Sequence, residues 1–243
     1  MKMRPGRDRR QFLQATAVLG VAGFAGARAD AMAEQEKKAK ETDGKGKEEE
    51  EVSPAEDLMR EHGVLKRVLL IYGESVGRLD SGRDLPAETV ADSAKIIRSF
   101  IEDYHEKLEQ DFLFPRFRKA NQLVDLVDVL YAQHQAGRRV TEETLRLSTA
   151  RALRDADDRR RLSDALQSFI RMYGPHEARE DTVLFPAFRK IVSAHEYAAL
   201  GEQFEDKEHE LFGEDGFEKM VDRVAGIEKK LGIYDLAQFT PKG

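Results

Sequence analysis

The sequence predicts an all-α protein, in which an up-down-up-down four-helix bundle is followed by a C-terminal helical extension. Apolar residues recur at steps of three and four along four long stretches, which is the period of an amphipathic helix. Short connections rich in Gly, Asp or Pro join these stretches, as between antiparallel neighbours. One pattern of histidine, glutamate and Leu-Phe-Pro occurs twice, so the bundle is predicted to be a duplicated helical hairpin.

The first 33 residues are predicted to be a cleavable export signal. Basic residues precede an apolar stretch that is rich in alanine and glycine and too short to span a membrane. The pair Arg9-Arg10 resembles the twin-arginine signal, which exports folded proteins, and an ordinary secretory signal is the alternative. The mature protein is therefore expected to be periplasmic or extracytoplasmic, with no stable membrane anchor after cleavage. Residues 34–53 are Lys- and Glu-rich and are expected to form a disordered linker.

Composition limits the chemistry that the chain can perform. It contains no cysteine, which excludes disulfides, thiolate metal sites and cysteine nucleophiles. Any metal would be held by imidazole and carboxylate, which suit iron, manganese or zinc. The formal net charge of −6 indicates that nucleic acid is not a partner, because such a partner needs a basic face.

The first and third helices each carry one histidine within an apolar stripe. Helix 1 is predicted to open at the capping box 53–56, with proline at its first helical position, and to end at the cluster 80–82. Helix 3 is predicted to be capped by Asn121 and to be followed by a turn at the acidic run 155–158. The two histidines are His62 and His134.

The second and fourth helices each carry a histidine four residues before a glutamate, and Leu-Phe-Pro follows in both. Helix 2 is predicted to begin near Pro86 and to be kinked or stopped by Pro115. Helix 4 is expected to bend at Gly174-Pro175, just before its histidine. The two motifs consist of His105 with Glu109 and of His176 with Glu180.

The spacing of the four histidines predicts that they meet. The positions midway between successive histidines are 83–84, 119–120 and 155, and each falls in a predicted loop. Antiparallel helices joined at those loops bring the histidines to one level, and each glutamate follows about 6 Å further along its helix on the same face. Without a cation, this cluster would destabilise an apolar core. The predicted metal ligands are His62, His105, Glu109, His134, His176 and Glu180.

Several neighbouring polar residues have two interpretations. Glu106 and Glu177 directly follow site histidines, and they are either surface charges or additional carboxylates near the metal. Glu61 and Gln133 directly precede the other two histidines. They too are either surface residues or additional polar groups near the metal. Structural roles, without metal binding, are predicted for His195 and His209. Tyr104 and Tyr173 are predicted to lie in the core, and the alternative is that they gate the site or donate to a metal-bound oxygen species.

The four histidines, the two His-x-x-x-Glu motifs and the two Leu-Phe-Pro sequences resemble the haemerythrin-like, or HHE cation-binding, family over residues 54–192. The resemblance implies a left-handed four-helix bundle with a non-haem di-iron centre that carries an oxo or hydroxo bridge. It implies that the four histidines are terminal ligands and that Glu109 and Glu180 bridge two iron ions. Zinc and manganese stay alternatives, because imidazole and carboxylate accept both.

The chain departs from the oxygen-carrying haemerythrins in two places. Those proteins have two histidines one turn apart on the third helix, whereas Arg138 stands four residues after His134. Their short fourth-helix spacing, which ends in Asp, is replaced by His176-x-x-x-Glu180, and Asp181 would reach the metal only if the helix deforms. These two departures imply a metal site that is more open than that of the oxygen carriers. Such a site favours reactive or regulatory chemistry over reversible oxygen carriage. Relatives with this duplicated pattern are associated with peroxide decomposition, response to oxygen or nitric oxide, and iron handling.

Two functions are expected from these observations. The first is an exported di-iron protein whose open metal positions bind or react with oxygen, peroxide or nitric oxide, with enzymatic turnover left open. The second is an iron-sensing or iron-storage module without turnover. A metal-free structural bundle is disfavoured by the cost of burying the polar cluster. Residues 193–243 are predicted to form amphipathic helices and a tail, which cap the bundle end or form a homodimer contact.

Overall fold

The computed structural model describes residues 52–241. The predicted export signal and most of the predicted linker therefore lie outside the described residues. Between residues 52 and 241 the chain forms helices and turns and no strand, so the all-α prediction is confirmed. No helix in this range is both long enough and apolar enough to cross a membrane.

Six long helices follow one another through the described range. They are α1 (Pro54–Ser81), α2 (residues 87–120), α3 (Val124–Leu147), α4 (residues 156–191), α5 (Ala194–Phe212) and α6 (Gly216–Leu231). Within α2 and α4 the chain passes without a break between α-helical and wider π-helical turns. The π-helical segments are Ile97–His105 and Glu109–Leu113 in α2, and Glu180–Leu184 in α4. Such widened turns are common at functional sites, and all three contain or adjoin predicted ligands.

The helix ends follow the capping signals, with two corrections. At α1, the Ser53 side chain accepts a hydrogen bond from the Glu56 backbone, as predicted, and Gly82 ends the helix at a φ of 68°. Asn121 does not cap α3; it ends α2 in the left-handed conformation, which asparagine tolerates better than most residues. The predicted turn at 155–158 is instead the start of α4, because the Asp155 side chain accepts two backbone hydrogen bonds from the first helical turn.

The prolines within the long helices do not stop them. The α2 helix continues beyond Pro115 as far as Ala120, and Pro175 lies inside α4. Pro115 lies in the first turn of the α-helical stretch that begins at Phe114, directly after a π-helical segment, at a position where the helix tolerates a missing backbone donor. The alternative in which Pro115 ends helix 2 is therefore wrong.

The first four helices pack into a helical bundle. The α4 helix lies against α1 and α3, and α2 contacts the same two helices. A close approach between α3 and α4 depends on Gly137, because an added Cβ there would lie 2.1 Å from the Tyr173 hydroxyl oxygen. The largest aromatic residues that these four helices bury are Tyr72, Phe100, Tyr104, Phe114, Phe117, Phe169, Tyr173, Phe185 and Phe188.

The C-terminal extension packs against α1 and α2 of the same chain. The Phe212 ring lies 5.6 Å from that of Phe100 and 5.4 Å from that of Tyr104. Arg67 of α1 donates two hydrogen bonds to the Glu228 carboxylate of α6, at 2.9 and 2.5 Å. Part of the apolar surface of the extension is therefore buried against the bundle of the same chain.

Candidate metal centre

The structure brings the six predicted ligands together between the first four helices. All six side chains are buried, with exposed fractions between 0 and 4%. Each of the four helices contributes one histidine, and the second and fourth contribute a glutamate as well. The residues are His62 on α1, His105 and Glu109 on α2, His134 on α3, and His176 and Glu180 on α4.

Ligand atoms of these residues form two overlapping groups that could each hold a metal ion. In each group the ligand atoms lie within 4.8 Å of one another. The first group contains Glu109, His134, His176 and Glu180, and the second contains His62, His105 and Glu109. Because Glu109 belongs to both groups, its carboxylate lies where it could join two metal ions.

Glu109 faces one histidine from each group. Its Oε1 lies 3.8 Å from Nε2 of His105, and its Oε2 lies 3.4 Å from Nε2 of His134. Burial raises the pKa of Glu109 well above its ordinary value, and the nearby Glu180 carboxylate raises it further. Without metal, burial and the nearby Glu180 carboxylate therefore both favour the neutral form of Glu109.

Glu180 occupies the equivalent position in the second motif. Its Oε1 lies 3.1 Å from Nε2 of His176, and its Oε2 lies 3.4 Å from Nε2 of His62. Burial alone would raise the pKa of Glu180, but the contacts with His176 and His62 hold it well below its ordinary value. Opposite shifts in the two glutamates are the expected result when like charges share a buried site.

The donor set fits metal ions. All four carboxylate oxygens of Glu109 and Glu180 are buried, and none accepts a hydrogen bond from a described residue. Buried polar atoms are normally satisfied, and leaving them unsatisfied is costly. Cations bound by the carboxylate oxygens and the four Nε2 atoms would remove that cost. Nitrogen and oxygen donors of this kind suit iron, manganese or zinc.

The second ring nitrogen, Nδ1, of each histidine contacts a side chain outside the ligand set. Such contacts fix the ring orientation and leave Nε2 facing the carboxylates of Glu109 and Glu180. The pairs are His62 with Asp181 at 2.7 Å, His105 with Glu61 at 2.7 Å, His134 with Gln110 at 2.8 Å, and His176 with Gln133 at 2.8 Å. Sequence reasoning missed Gln110, although it follows Glu109 as Asp181 follows Glu180.

Glu106 and Glu177 are buried, with exposed fractions of 1 and 3%, so the surface-charge interpretation is wrong for both. The Tyr173 hydroxyl donates to Glu106 at 2.6 Å, and the Arg138 guanidinium lies 2.9 Å from the other carboxylate oxygen. Burial raises the pKa of Glu106 to about 8, against the opposing effects of Tyr173 and Arg138. Burial likewise raises the pKa of Glu177 to about 7, and Lys66 opposes the shift.

The remaining histidines belong to neither group. His195 and His209 lie on α5 with exposed side chains, in agreement with the structural role predicted for them. A separate, purely acidic group consists of the buried residues Asp57, Glu61 and Glu208. It places the α5 carboxylate of Glu208 beside Glu61, the residue that contacts the His105 ring.

Metal affinity is expected to rise with pH through the neutral range. Burial alone would lower the pKa of His62, but contacts with Asp181 and Glu180 raise it to about 9. Metal binding must therefore displace a proton from His62 at neutral pH. Affinity should increase from pH 6 toward pH 9, where His62 loses its proton unaided. Calorimetric titration with Zn²⁺ in buffers of different ionisation enthalpy would measure the release, expected to be about one proton; zero release would contradict it.

Comparison with known proteins agrees with this geometry. Residues 53–187 match the hemerythrin HHE cation binding domain. The chain is 54% identical over 190 residues to proteins described as uncharacterized from Mycobacterium tuberculosis and Mycobacterium bovis, covering 78% of this chain and 74% of each relative. No solved structure matches. The family match extends over more than half of the chain and includes all six clustered residues, so the chain belongs to the hemerythrin HHE cation-binding family.

Proposed function

We propose that this chain is a non-haem di-iron protein whose open metal positions bind or react with oxygen, peroxide or nitric oxide. In this proposal the four helices run up-down-up-down, the four histidines are terminal ligands, and Glu109 and Glu180 bridge the ions. One observation carries it: all four carboxylate oxygens of these two glutamates are buried without hydrogen bonds, opposite the histidine Nε2 atoms. Two iron ions would supply two electrons to a bound small molecule.

The surroundings of the cluster restrict what can react there. The six ligands are exposed by no more than 4%, so a bulky substrate would have to open the helical bundle to reach them. Small molecules are the substrates or ligands that fit this burial. Beside the cluster, Tyr173 and Glu106 share a hydrogen bond at 2.6 Å and hold a proton between them. Arg138 fixes that carboxylate from the other side at 2.9 Å.

The proposal is tested by the metal content and visible spectrum of the mature protein purified in air, before and after addition of peroxide. Two irons per chain with charge-transfer absorption are expected, and His105→Ala should lose both. The matched control is His195→Ala, since His195 is exposed on α5. Sustained peroxide consumption would establish turnover, whereas reaction that stops after one equivalent would leave a binding protein. A metal-free protein with a featureless spectrum would refute the proposal.

An iron-sensing or iron-storage module is the second candidate function. It is favoured by the complete burial of the ligand cluster, because a cluster of this kind couples metal binding to the stability of the fold. A sensor or store would show iron-dependent stability without sustained peroxide consumption. The same peroxide assay therefore separates the two candidates.

Export is proposed from the sequence of the first 33 residues. A twin-arginine route would suit a protein that acquires its metal before crossing the membrane. The change of Arg9 and Arg10 together to Lys should hold the full chain in the cytoplasm. Unchanged export of that variant would favour an ordinary secretory signal.

A further inference from the structure

The two histidine pairs of the cluster differ in what supports them. His62 and His105, whose ring centroids are 4.7 Å apart, form one pair. The Nδ1 atom of His62 lies 2.7 Å from Oδ1 of Asp181, and that of His105 lies 2.7 Å from Oε2 of Glu61. Both contacts of this pair are made to carboxylates, and it is called the carboxylate-supported pair.

The other pair consists of His134 and His176, with ring centroids 5.0 Å apart. The amide nitrogen of Gln110 lies 2.8 Å from Nδ1 of His134 and donates to it, whereas the amide oxygen of Gln133 lies 2.8 Å from Nδ1 of His176 and accepts. Both contacts are made to neutral amides, and this is called the amide-supported pair. The internal repeat therefore keeps the geometry in both halves and changes the charge.

The supporting residues of the two pairs stand at equivalent positions of the internal repeat. Asp181 stands directly after Glu180 where Gln110 stands directly after Glu109. Glu61 directly precedes His62, and Gln133 holds the same place before its histidine in the other repeat. Two formal negative charges thus lie beside one pair and none at the equivalent positions beside the other.

Neighbouring cations do not cancel this difference in charge between the two histidine pairs, because one cation lies near each pair. Lys66 lies 3.2 Å from Oδ2 of Asp181, and its side chain is 52% exposed, so solvent screens it. In the other half, Arg138 lies 2.9 Å from Glu106 and is 18% exposed. Lys66 is also 4.0 Å from Glu177, the repeat equivalent of Glu106.

A carboxylate that accepts the Nδ1 hydrogen makes the imidazole a stronger donor at Nε2. It also places a negative charge close to the cation within a buried site, where screening is weak. Both effects favour metal binding at the carboxylate-supported pair. The more buried cation, Arg138, opposes binding at the amide-supported pair.

We propose that the two metal positions are inequivalent, so that the position of the carboxylate-supported pair fills first and releases its ion last. The inference rests on the proposed function, because it requires that two metal ions bind among the six clustered ligands. Asp181 and Glu61 are positioning residues in this account, since they act through His62 and His105. The position of the amide-supported pair is the exchangeable one.

The test is a titration of the metal-free mature protein with Zn²⁺, a redox-inactive probe, in competition with a chromophoric chelator. Two steps are expected, separated by about 10- to 100-fold, which is the usual effect of such supporting contacts on metal affinity. Asp181→Asn should weaken the tighter step about tenfold and leave the weaker step in place. Gln133→Glu should tighten the weaker step, and misfolding cannot produce that gain.

The outcomes separate this inference from the proposed function. Two ions bound with equal affinity, or an equal loss at both steps in Asp181→Asn, would overturn the inequivalence and leave the two-metal site intact. Failure of the wild-type protein to bind Zn²⁺ or iron at all would overturn both. A two-step separation that narrows about tenfold in Asp181→Asn, together with a tightened weaker step in Gln133→Glu, would establish it.

Discussion

Glu109→Gln is expected to lower the affinity of both metal positions by more than about 100-fold, because loss of a mere supporting contact already costs about 10- to 100-fold. Glu109 is the residue shared by both groups of ligand atoms, and its two oxygens face His105 and His134. Glutamine keeps the size of the side chain and removes its charge. Iron per chain after purification and Zn²⁺ affinity of the metal-free protein would both measure the loss.

The metal-free form of this variant provides its own control. Burial raises the pKa of Glu109 in the metal-free protein and so favours the neutral form of the side chain, which glutamine resembles. The amide should therefore leave the melting temperature of the metal-free protein nearly unchanged while metal binding collapses. Glu202→Gln, on the exposed surface of α5, is the matched substitution and should bind as the wild type does. Full metal content in Glu109→Gln would exclude the shared-ligand role.

Removal of the metal from the wild-type protein is expected to lower its melting temperature by about 10 °C or more. An ion present at about 1,000 times its Kd stabilises the folded state by about 4 kcal/mol. Each kcal/mol shifts the melting temperature by about 2–4 °C in a domain of this size. The physical source is the buried cluster, in which the carboxylate oxygens of Glu109 and Glu180 accept no hydrogen bond within the described residues. Thermal melts with and without a chelator, followed by readdition of iron, would measure the shift.

Histidine variants test whether this shift comes from the cluster. His105→Ala should abolish most of the stabilisation by metal, since it removes one of the six buried ligands. His209→Ala removes an exposed histidine from α5 and should retain the whole shift. Identical melting curves for the loaded and chelated wild-type protein would contradict the prediction, and they would return the bundle to a purely structural role.

The meeting of the four histidines was predictable because helix geometry is regular. Their equal distances from the connecting loops place His62, His105, His134 and His176 near one level, and the structure brings their Nε2 atoms to the same two carboxylates. Capping residues such as Ser53 were predictable for a similar reason, since their hydrogen bonds join positions close in sequence.

Errors arose where local signals conflict. Asn121 stands between two helices and suits either a helix start or a left-handed helix end, and only the observed φ of 50° decides between them. Glu106 is a charged residue of a kind that usually lies at the surface. It is nevertheless buried, because Tyr173 and Arg138 from two other helices contact its carboxylate. No local pattern encodes such partners.

The sequence by itself determined the helical class, the duplication and the identity of six clustered polar residues, because period and spacing act within single helices. Tertiary structure alone decided which side chain supports each ring, since Asp181 meets His62 from across the bundle at 2.7 Å. It also decided that the C-terminal extension packs on α1 and α2, through contacts such as Arg67 with Glu228. Those outcomes depend on side-chain contacts between distant helices, which the periodicity of a single helix does not specify.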